Sequence, residues 1–159
     1  MSHTHQHQYK VDVTWTGNQG SGTKTYQGYG RGHEIRIAGK PTIEGSSDPK
    51  FRGDTSKHNP EDMLVTALST CHMLSYLHQA VLAGVVVTAY SDSAEGTMET
   101  TVQGGHFTEV VLHPVVTIAA DSDPAKAEAA HDPAHHACFI ANSVNFPVRC
   151  EPRIVIESN

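Results

Sequence analysis

Alternating apolar and polar side chains near the start of the chain predict a β-strand. Over residues 9–15 every second side chain is apolar, so these side chains would share one half-buried strand face. Two further strands are predicted over residues 24–29 and 34–38, after a glycine-rich turn, and the three segments together predict an antiparallel meander. The apolar positions of the first strand are Tyr9, Val11, Val13 and Trp15.

A long helix is predicted from Pro60 to about Ala83. Asn59 precedes it as a cap, proline suits the first helical position because it leaves no N–H unpaired, and Gly84 is a typical helix end. The middle of this helix is apolar on nearly every side, which is typical of a buried helix. We therefore predict that it is the central helix of the domain.

The second half of the chain predicts more strands and an interrupted helix. Its predicted strands cover residues 85–90, 97–103, 107–120 and 154–156. The helix is predicted from Pro124 to about Asn142, with a break at Pro133. Strands and helices in this order predict an α+β fold with mainly antiparallel pairing.

Residues 39–58 show no periodic pattern and are rich in Gly, Pro, Ser, Asp and Lys. A loop of this length inside a compact domain is usually functional. It carries two candidate cations, Lys50 and Arg52, shortly before the long helix. We therefore predict that this loop contributes to the functional site.

The composition is that of a single globular domain without a nucleic-acid or membrane partner. The chain has 159 residues, with 11 Lys and Arg against 17 Asp and Glu, and a formal net charge of −6. An acidic chain without a basic run is poorly suited to bind nucleic acid or an anionic membrane, and no apolar stretch reaches the roughly 20 residues of a spanning helix. We predict a disordered His-rich segment over residues 1–8 and one domain over 9–159. The first residues lack the apolar core of a signal peptide, which predicts a cytoplasmic protein.

Cys71 on the long helix and Cys138 on the second helix are the main candidates for chemistry. Each lies on an apolar helix face, so the two are either inert core side chains or a redox pair in which one thiolate attacks and the other thiol resolves. A redox pair needs a nearby cation to favour the thiolate form. Arg52 or Lys50 could supply that charge, and Glu61 could hold the cation by an ion pair.

Histidines near the second cysteine predict an alternative, metal-binding role. His131 and His135 are four residues apart, a spacing that suits two metal ligands on one helix face, and Cys138 follows them. A solvated polar helix face explains the same pattern, so both interpretations stay open. His72 is rotated by about 100° around the helix from the preceding cysteine and is not expected to act as its base. Cys150 has no helical or basic setting and is interpreted as structural or adventitious.

Two segments of the chain resemble the OsmC/Ohr family. The first runs Asn-Pro-Glu-Asp-Met-Leu over residues 59–64 and Ala-Leu-Ser-Thr-Cys-His-Met-Leu over 67–74, and the second runs His-His-Ala-Cys-Phe-Ile-Ala-Asn-Ser-Val over 135–144. The resemblance covers roughly residues 9–157 and is to a separate OsmC-like branch of the family. It implies an OsmC-like α+β fold, with an antiparallel sheet packed on a long buried central helix, and an intertwined homodimer with active sites at the subunit interface.

The resemblance also implies a thiol-dependent peroxidase that reduces organic hydroperoxides in an oxidative stress response. Cys71 would be the peroxidatic thiol that becomes a sulfenic acid, and Cys138 would resolve it as a redox-active disulfide. Glu61 matches the family glutamate that pairs with an activating arginine. We favour Arg52 over Lys50 as the cation, because an arginine can pair with a carboxylate through two hydrogen bonds.

The electron donor and two further functions complete the sequence-based hypotheses. No flavin or nucleotide fingerprint is present, so no cofactor is expected, and electrons would come from an external dithiol, for which the resemblance suggests a lipoyl-bearing protein. One alternative is a ligand-binding or redox-sensing module with an apolar pocket at the dimer interface. The other is a metal-binding protein that uses His131, His135 and Cys138.

Overall fold

The structure, a computed structural model, describes residues 4–158. Residues 1–3 of the predicted His-rich segment and Asn159 lie outside the described part, and residues 4–11 have no regular secondary structure. The chain divides into two compact units, with the boundary after Met63. Within residues 4–158, no helix is long and apolar enough to cross a membrane.

A three-stranded antiparallel sheet forms the first unit. Its strands are β1 (Asp12–Trp15), β2 (His33–Arg36) and β3 (Ile43–Gly45), with β2 in the centre. Ile35 of β2 is buried and lies opposite Val13 on one side and Ile43 on the other. Directly opposed side chains share a sheet face, so these three form the apolar contact of the sheet.

The predicted strand over residues 24–29 is wrong, because its backbone carbonyls bind a side chain. The guanidinium of Arg31 lies over the rings of Tyr26 and Tyr29, at 4.5 and 4.0 Å from their centroids. It also donates hydrogen bonds to the carbonyl oxygens of the same two residues, at 2.7 and 2.5 Å. The segment therefore folds around a cation instead of pairing as a strand.

The aperiodic segment 39–58 has more local structure than its sequence predicts. It contains β3 and a short 3-10 helix at Pro49–Phe51. The side chain of Asp48 caps that helix by accepting a hydrogen bond from the N–H of Lys50 at 2.7 Å. The N–H of Ser46, directly after β3, donates to the carbonyl of His58 at 2.9 Å, which joins the middle of the segment to its end.

The apolar side of the first strand is exposed in this chain, not half-buried as predicted. Tyr9 is 90% exposed, Val13 64% and Trp15 44%. The indole N–H of Trp15 donates to the carbonyl of Gly30 at 2.8 Å, so the ring is held at the surface. Neighbouring exposed apolar side chains are typical of a surface that another molecule covers.

The long helix forms where it is predicted. In α1 (Pro60–Leu82), the side chain of Asn59 accepts a hydrogen bond from the N–H of Asp62 at 2.8 Å, and Gly84 follows the helix with a φ of 70°. The predicted burial on every side is wrong for the single chain, in which Leu74 is 64% exposed. One stripe is buried, at positions spaced by four residues: Leu68, His72, Tyr76 and Ala80.

Two three-stranded sheets belong to the second unit. Their strands are β4 (Val87–Asp92), β5 (Glu95–Thr101), β6 (Gly104–Leu112), β7 (Pro114–Ile118), β8 (Val148–Cys150) and β9 (Arg153–Ile156). In one sheet β7 pairs antiparallel with β4 and parallel with β9, and in the other β6 pairs antiparallel with β5 and parallel with β8. The α+β class is confirmed, whereas the single antiparallel sheet is corrected to three sheets, two of which contain a parallel pair.

The strand predicted over residues 107–120 is in fact two strands, which meet at His113. Pro114 begins the second of them, a position where the missing N–H of proline is tolerated. Asp92 holds this junction, because its carboxylate accepts hydrogen bonds from the N–H of His113 at 2.7 Å and from the hydroxyl of Ser69 at 2.5 Å.

The second helix is shorter than predicted and breaks earlier. It consists of α2 (Pro124–Ala129) and α3 (His131–Ala137), which meet at Ala130. Pro133 lies in the first turn of α3, where a missing N–H costs no hydrogen bond. Cys138 is therefore the C-cap of α3 and does not lie inside a helix.

The buried stripe of α1 supplies the core of the second unit. Leu68 packs against β6. Tyr76 and Ala80 pack against β7, α2 and α3, and the Tyr76 hydroxyl donates to the carbonyl of Ala127 at 2.9 Å. His72 lies between these two clusters along the stripe and is only 1% exposed.

Candidate functional site

Cys71 lies in the middle of α1 on the side away from the buried stripe, and it is half-buried. Helical spacing brings Leu74, Ser75 and His78 to the same side, because residues three, four and seven positions apart share a helix face. These residues line a cavity of about 560 Å³ together with residues that follow α3. The site is thus built by one helix face and one turn.

Cys138 is held in that turn by a local network of hydrogen bonds. The N–H of Ala141 donates to its sulfur at 3.4 Å. The side-chain amide of Asn142 donates to the carbonyl of His136 at 3.0 Å, which satisfies a carbonyl at the end of α3. The hydroxyl of Ser143 donates to the carbonyl of Phe139 at 2.7 Å. The Cys-Phe-Ile-Ala-Asn-Ser segment therefore fixes the position of the thiol through its own backbone.

Cys71 and Cys138 are both free cysteines, and their thiols lie close together. Cys138 is only 1% exposed. Burial, and then the neighbouring Cys71 thiol, raise the pKa of Cys138 to about 11. The accessible sulfur of Cys71 therefore lies beside the buried thiol of Cys138.

The cavity wall beside Cys71 is mainly apolar. Leu74 is 64% exposed, and Phe139 on the facing turn is 79% exposed, so both side chains present hydrocarbon to a ligand. The hydroxyl of Thr70 also lines the cavity but already donates to the carbonyl of Thr66 at 2.8 Å. The cavity suits an apolar ligand whose reactive end reaches the cysteine.

The predicted activating residues belong to the first unit, whereas both cysteines belong to the second. Arg52 is exposed and is the C-cap of the 3-10 helix, where its backbone φ is 65°. Lys50 lies inside that helix. Glu61 lies in the first turn of α1, and its Oε2 is buried without a hydrogen-bond partner among residues 4–158. In the same range no ion pair joins Arg52 to Glu61. Their roles stay predictions.

The two cysteine segments lie in a region that matches a known family. The family model described as OsmC-like protein matches residues 53–153, well over half of the chain. The chain belongs to the OsmC-like family. The resemblance drawn from the sequence is thereby confirmed.

Solved structures of other OsmC-like proteins share this fold. An OsmC-like protein of unknown function from Vibrio cholerae is 32% identical, with a TM-score of 0.84 over 92% of this chain and 99% of that one. An organic hydroperoxide resistance protein OsmC from Legionella pneumophila is 16% identical, with a TM-score of 0.67 over 95% of this chain and 98% of that one. An organic hydroperoxide resistance protein from Elizabethkingia anophelis, with bound thiocyanate, is also 16% identical, with a TM-score of 0.67 over 96% of this chain and 100% of that protein. No curated protein matches the chain.

A second cluster of chemical groups in this OsmC-like chain was missed by the sequence interpretation. The ring nitrogens of His72 and His131 are 3.0 Å apart, and the sulfur of Cys150 lies 3.6 and 3.7 Å from them. Cys150 is therefore not the isolated thiol that its sequence setting indicated. Among residues 4–158, no group of three close ligand atoms includes His135 or Cys138, so the predicted metal set is not assembled.

Burial favours the uncharged form of each group in this cluster. Burial lowers the pKa of His131 to about 4, and it also lowers the pKa of His72. Burial, with a smaller contribution from the Asp92 charge, raises the pKa of Cys150 to about 12. The sequence analysis named His131 as a candidate ligand, but with His135 and Cys138. Nothing in the sequence places His72 and Cys150 beside it.

Proposed function

We propose that this chain is a thiol-dependent peroxidase that reduces organic hydroperoxides, with Cys71 as the reacting thiol and Cys138 as the resolving thiol. The observation that carries the proposal is the closeness of the half-buried Cys71 to the buried Cys138 thiol, at the edge of an apolar cavity. Organic hydroperoxide resistance proteins from Legionella pneumophila and Elizabethkingia anophelis share the fold, which is consistent with this chemistry.

The first step oxidises Cys71 and reduces the peroxide. The Cys71 thiolate attacks the terminal oxygen of the hydroperoxide, an S–O bond forms and the O–O bond breaks. The alkoxide leaves and takes up a proton, so the products are an alcohol and a Cys71 sulfenic acid. The apolar side chains of Leu74 and Phe139 would bind the organic part of the peroxide, which favours alkyl or aryl hydroperoxides over hydrogen peroxide.

The second step converts the sulfenic acid to a disulfide. The sulfur of Cys138 attacks the sulfur of Cys71, an S–S bond forms, and the S–O bond breaks with loss of water. The two thiols lie close together, so little movement is needed for this attack. An external dithiol then reduces the disulfide by exchange and is itself oxidised to a disulfide, which restores both thiols.

Arg52 is the proposed activating cation, and Glu61 is its proposed partner. The guanidinium of Arg52 is free of ion pairs among the described residues, and a buried carboxylate oxygen of Glu61 lacks a hydrogen-bond donor. An unpaired buried carboxylate oxygen is costly, and a bidentate arginine satisfies it well. A guanidinium beside Cys71 would favour the thiolate form of that cysteine.

A homodimer is the proposed assembly. The exposed apolar face of β1 and the exposed Leu74, Val81 and Leu82 of α1 leave hydrocarbon in contact with water in the single chain. Such surfaces are typical of protein interfaces. A second copy of the chain is the proposed cover.

A steady-state assay tests the peroxidase proposal. Cumene hydroperoxide and hydrogen peroxide are supplied separately with dihydrolipoamide as electron donor, and peroxide loss is followed. The expected result is turnover that favours cumene hydroperoxide and that disappears in Cys71→Ser. The matched control is Val102→Ser at a fully exposed turn, which should turn over like the unmodified chain. Equal, slow consumption by all three proteins would contradict the proposal.

The apolar cavity also favours a second candidate function, a redox-sensing or ligand-binding module. The same assay separates the two. A sensor consumes about one equivalent of hydroperoxide per chain and then stops even with dithiol present, whereas a peroxidase continues to turn over.

A further inference from the structure

Three ligand-type side chains converge inside the second unit, away from the cavity beside Cys71. They come from three different elements: His72 from α1, His131 from the start of α3 and Cys150 from the end of β8. They lie 19 to 78 residues apart in the chain, so only the fold brings them together. His72 and His131 are 1% and 5% exposed, and Cys150 is half-buried.

The three ligand atoms form a compact triangle. Its sides are 3.0 Å between the ring nitrogens, and 3.6 and 3.7 Å from the sulfur to each nitrogen. In a tetrahedral zinc site with Zn–N of about 2.0–2.1 Å and Zn–S of about 2.3 Å, two nitrogens lie about 3.3 Å apart, and nitrogen and sulfur lie about 3.6 Å apart. Both nitrogen–sulfur distances therefore match those of a zinc site, and the nitrogen–nitrogen distance is about 0.3 Å shorter than in such a site.

We propose that His72, His131 and Cys150 form a binding site for a thiophilic divalent cation, with Zn²⁺ as the cation that fits best. Neutral imidazole nitrogens and a thiolate are the ligands that zinc prefers, and this set of three leaves one position for water or another ligand. Binding forms a Zn–S bond and displaces the proton of the Cys150 thiol to solvent. The site goes beyond the peroxidase proposal and does not depend on it.

Without a metal, the same atoms form a hydrogen-bonded cluster. The ring planes of His72 and His131 are nearly parallel, with 7° between them, and their nitrogen–nitrogen distance of 3.0 Å is that of an N–H···N hydrogen bond. Zinc would bind between the two nitrogens in place of the proton of that hydrogen bond. The two rings would move slightly apart, and the proton would shift to a ring nitrogen that faces away from the metal. Tyr76 stacks on His131 with 4.0 Å between centroids, which limits how far the ring can turn.

The surroundings of the cluster favour a cation. Asp92 lies close enough for its charge to act on both His72 and Cys150, and its carboxylate is fixed by hydrogen bonds from Ser69 and from the backbone of His113. Fixed carboxylates outside the ligand shell are common around zinc sites because they offset the charge of the ion. The ion would join α1, α3 and β8 at the point between the two core clusters.

Cobalt substitution tests the site on the full chain. The protein is reduced with a phosphine and stripped with a chelator, and Co²⁺ is added while the near-ultraviolet absorption is followed. A cobalt–thiolate bond gives a charge-transfer band that histidine ligands alone do not give. We expect about one Co²⁺ per chain with this band, and its displacement by Zn²⁺. No band in a folded chain would overturn the proposal and leave the metal-free cluster.

Variants identify the ligands. Cys150→Ser should lose the band, and His131→Gln should weaken Co²⁺ binding at least tenfold. His135→Gln on the same helix is the matched control and should bind normally. A Cys71→Ser/Cys138→Ser chain should keep the band, as should a chain with His3, His5 and His7 replaced by Gln. Loss of the band in either of these two, with retention in Cys150→Ser, would place the ion elsewhere and overturn the proposal.

A measurement on the unmodified chain covers the case in which Cys150→Ser fails to fold. The alkylation with iodoacetamide is continued until Cys150 of the metal-free chain has reacted fully, because its raised pKa makes it slow to react. Over the same time Zn²⁺ should protect Cys150, as read by peptide mass spectrometry, while Cys71 remains reactive. Equal alkylation of Cys150 with and without Zn²⁺ would contradict the site.

Discussion

The buried thiol of Cys138 lies close enough to the half-buried Cys71 for the Cys71 thiol to raise its pKa, although Cys71 belongs to α1 and Cys138 caps α3. One sulfur is reachable from a cavity and the other is not. We therefore propose different roles for the two thiols, because a substrate in the cavity can reach Cys71 but not Cys138.

The first prediction concerns the product of oxidation. One equivalent of cumene hydroperoxide should join Cys71 to Cys138 in a disulfide within the same chain, because their thiols already lie close together. Non-reducing peptide mass spectrometry identifies the bridge. Cys138→Ser should instead accumulate the Cys71 sulfenic acid, which a dimedone adduct detects. A bridge from Cys71 to Cys150 would exclude the resolving role of Cys138.

The second prediction concerns the pH dependence of disulfide formation. Only the thiolate of Cys138 attacks, and its pKa of about 11 lies above its ordinary value, so the thiolate fraction rises with pH throughout the range below 11. The rate of disulfide closure should increase about tenfold for each pH unit between 6 and 9. Rapid acid quench followed by alkylation measures this rate. A rate independent of pH in that range would mean that closure is limited by another step.

The third prediction distinguishes the two candidate cations. Arg52→Ala should slow Cys71 oxidation by about tenfold, since a lost positive charge disfavours the reacting thiolate, and Lys50→Ala should change it less. Arg52→Lys keeps the charge but not the bidentate pairing, so an intermediate rate is expected. Single-turnover oxidation with cumene hydroperoxide gives all three rates. If only Lys50→Ala is slow, Lys50 is the activating cation.

The fourth prediction compares two leucines on one helix. Leu68→Ala removes a fully buried side chain and should lower the free energy of unfolding by about 2–5 kcal/mol. Leu74→Ala removes an exposed side chain at the cavity and should instead raise KM for cumene hydroperoxide. Urea denaturation and the steady-state assay measure the two effects. Similar losses of stability in both variants would show that Leu74 is also part of a core.

The fifth prediction concerns assembly. Light scattering at micromolar concentration should give twice the mass of one chain, because the apolar face of β1 needs cover. Val13→Lys places a charge on that face and should shift the equilibrium towards single chains, whereas Val102→Lys, at an exposed turn, should not. A single-chain mass for the unmodified protein would contradict the dimer.

Local sequence was sufficient for the elements whose signals lie within a few residues. Asn59, Pro60 and Gly84 mark both ends of α1, because caps and helix ends depend on hydrogen bonds to the nearest backbone groups. β2 and β9 were found for a similar reason, since alternation and β-branching are visible in short windows. The family resemblance rests on two such continuous segments.

Segments whose conformation depends on distant partners were misread. Residues 24–29 look like a strand, yet Arg31 holds them as a turn. β8 has three residues, too few to show a pattern, and it exists because β6 pairs with it. The predicted strand over 107–120 divides because β6 and β7 enter different sheets.

The bounds of α1 and the apolar alternation of strands such as β2 follow from interactions between near neighbours in the chain, which a sequence displays directly, and the continuous segments around Cys71 and Cys138 carry the family resemblance. The closeness of those two thiols, the cavity beside Cys71 and the meeting of His72, His131 and Cys150 depend on packing between elements far apart in sequence. Helix and strand periodicity determine which face of an element is apolar but not which other element covers it, so only the tertiary structure could assign these partners.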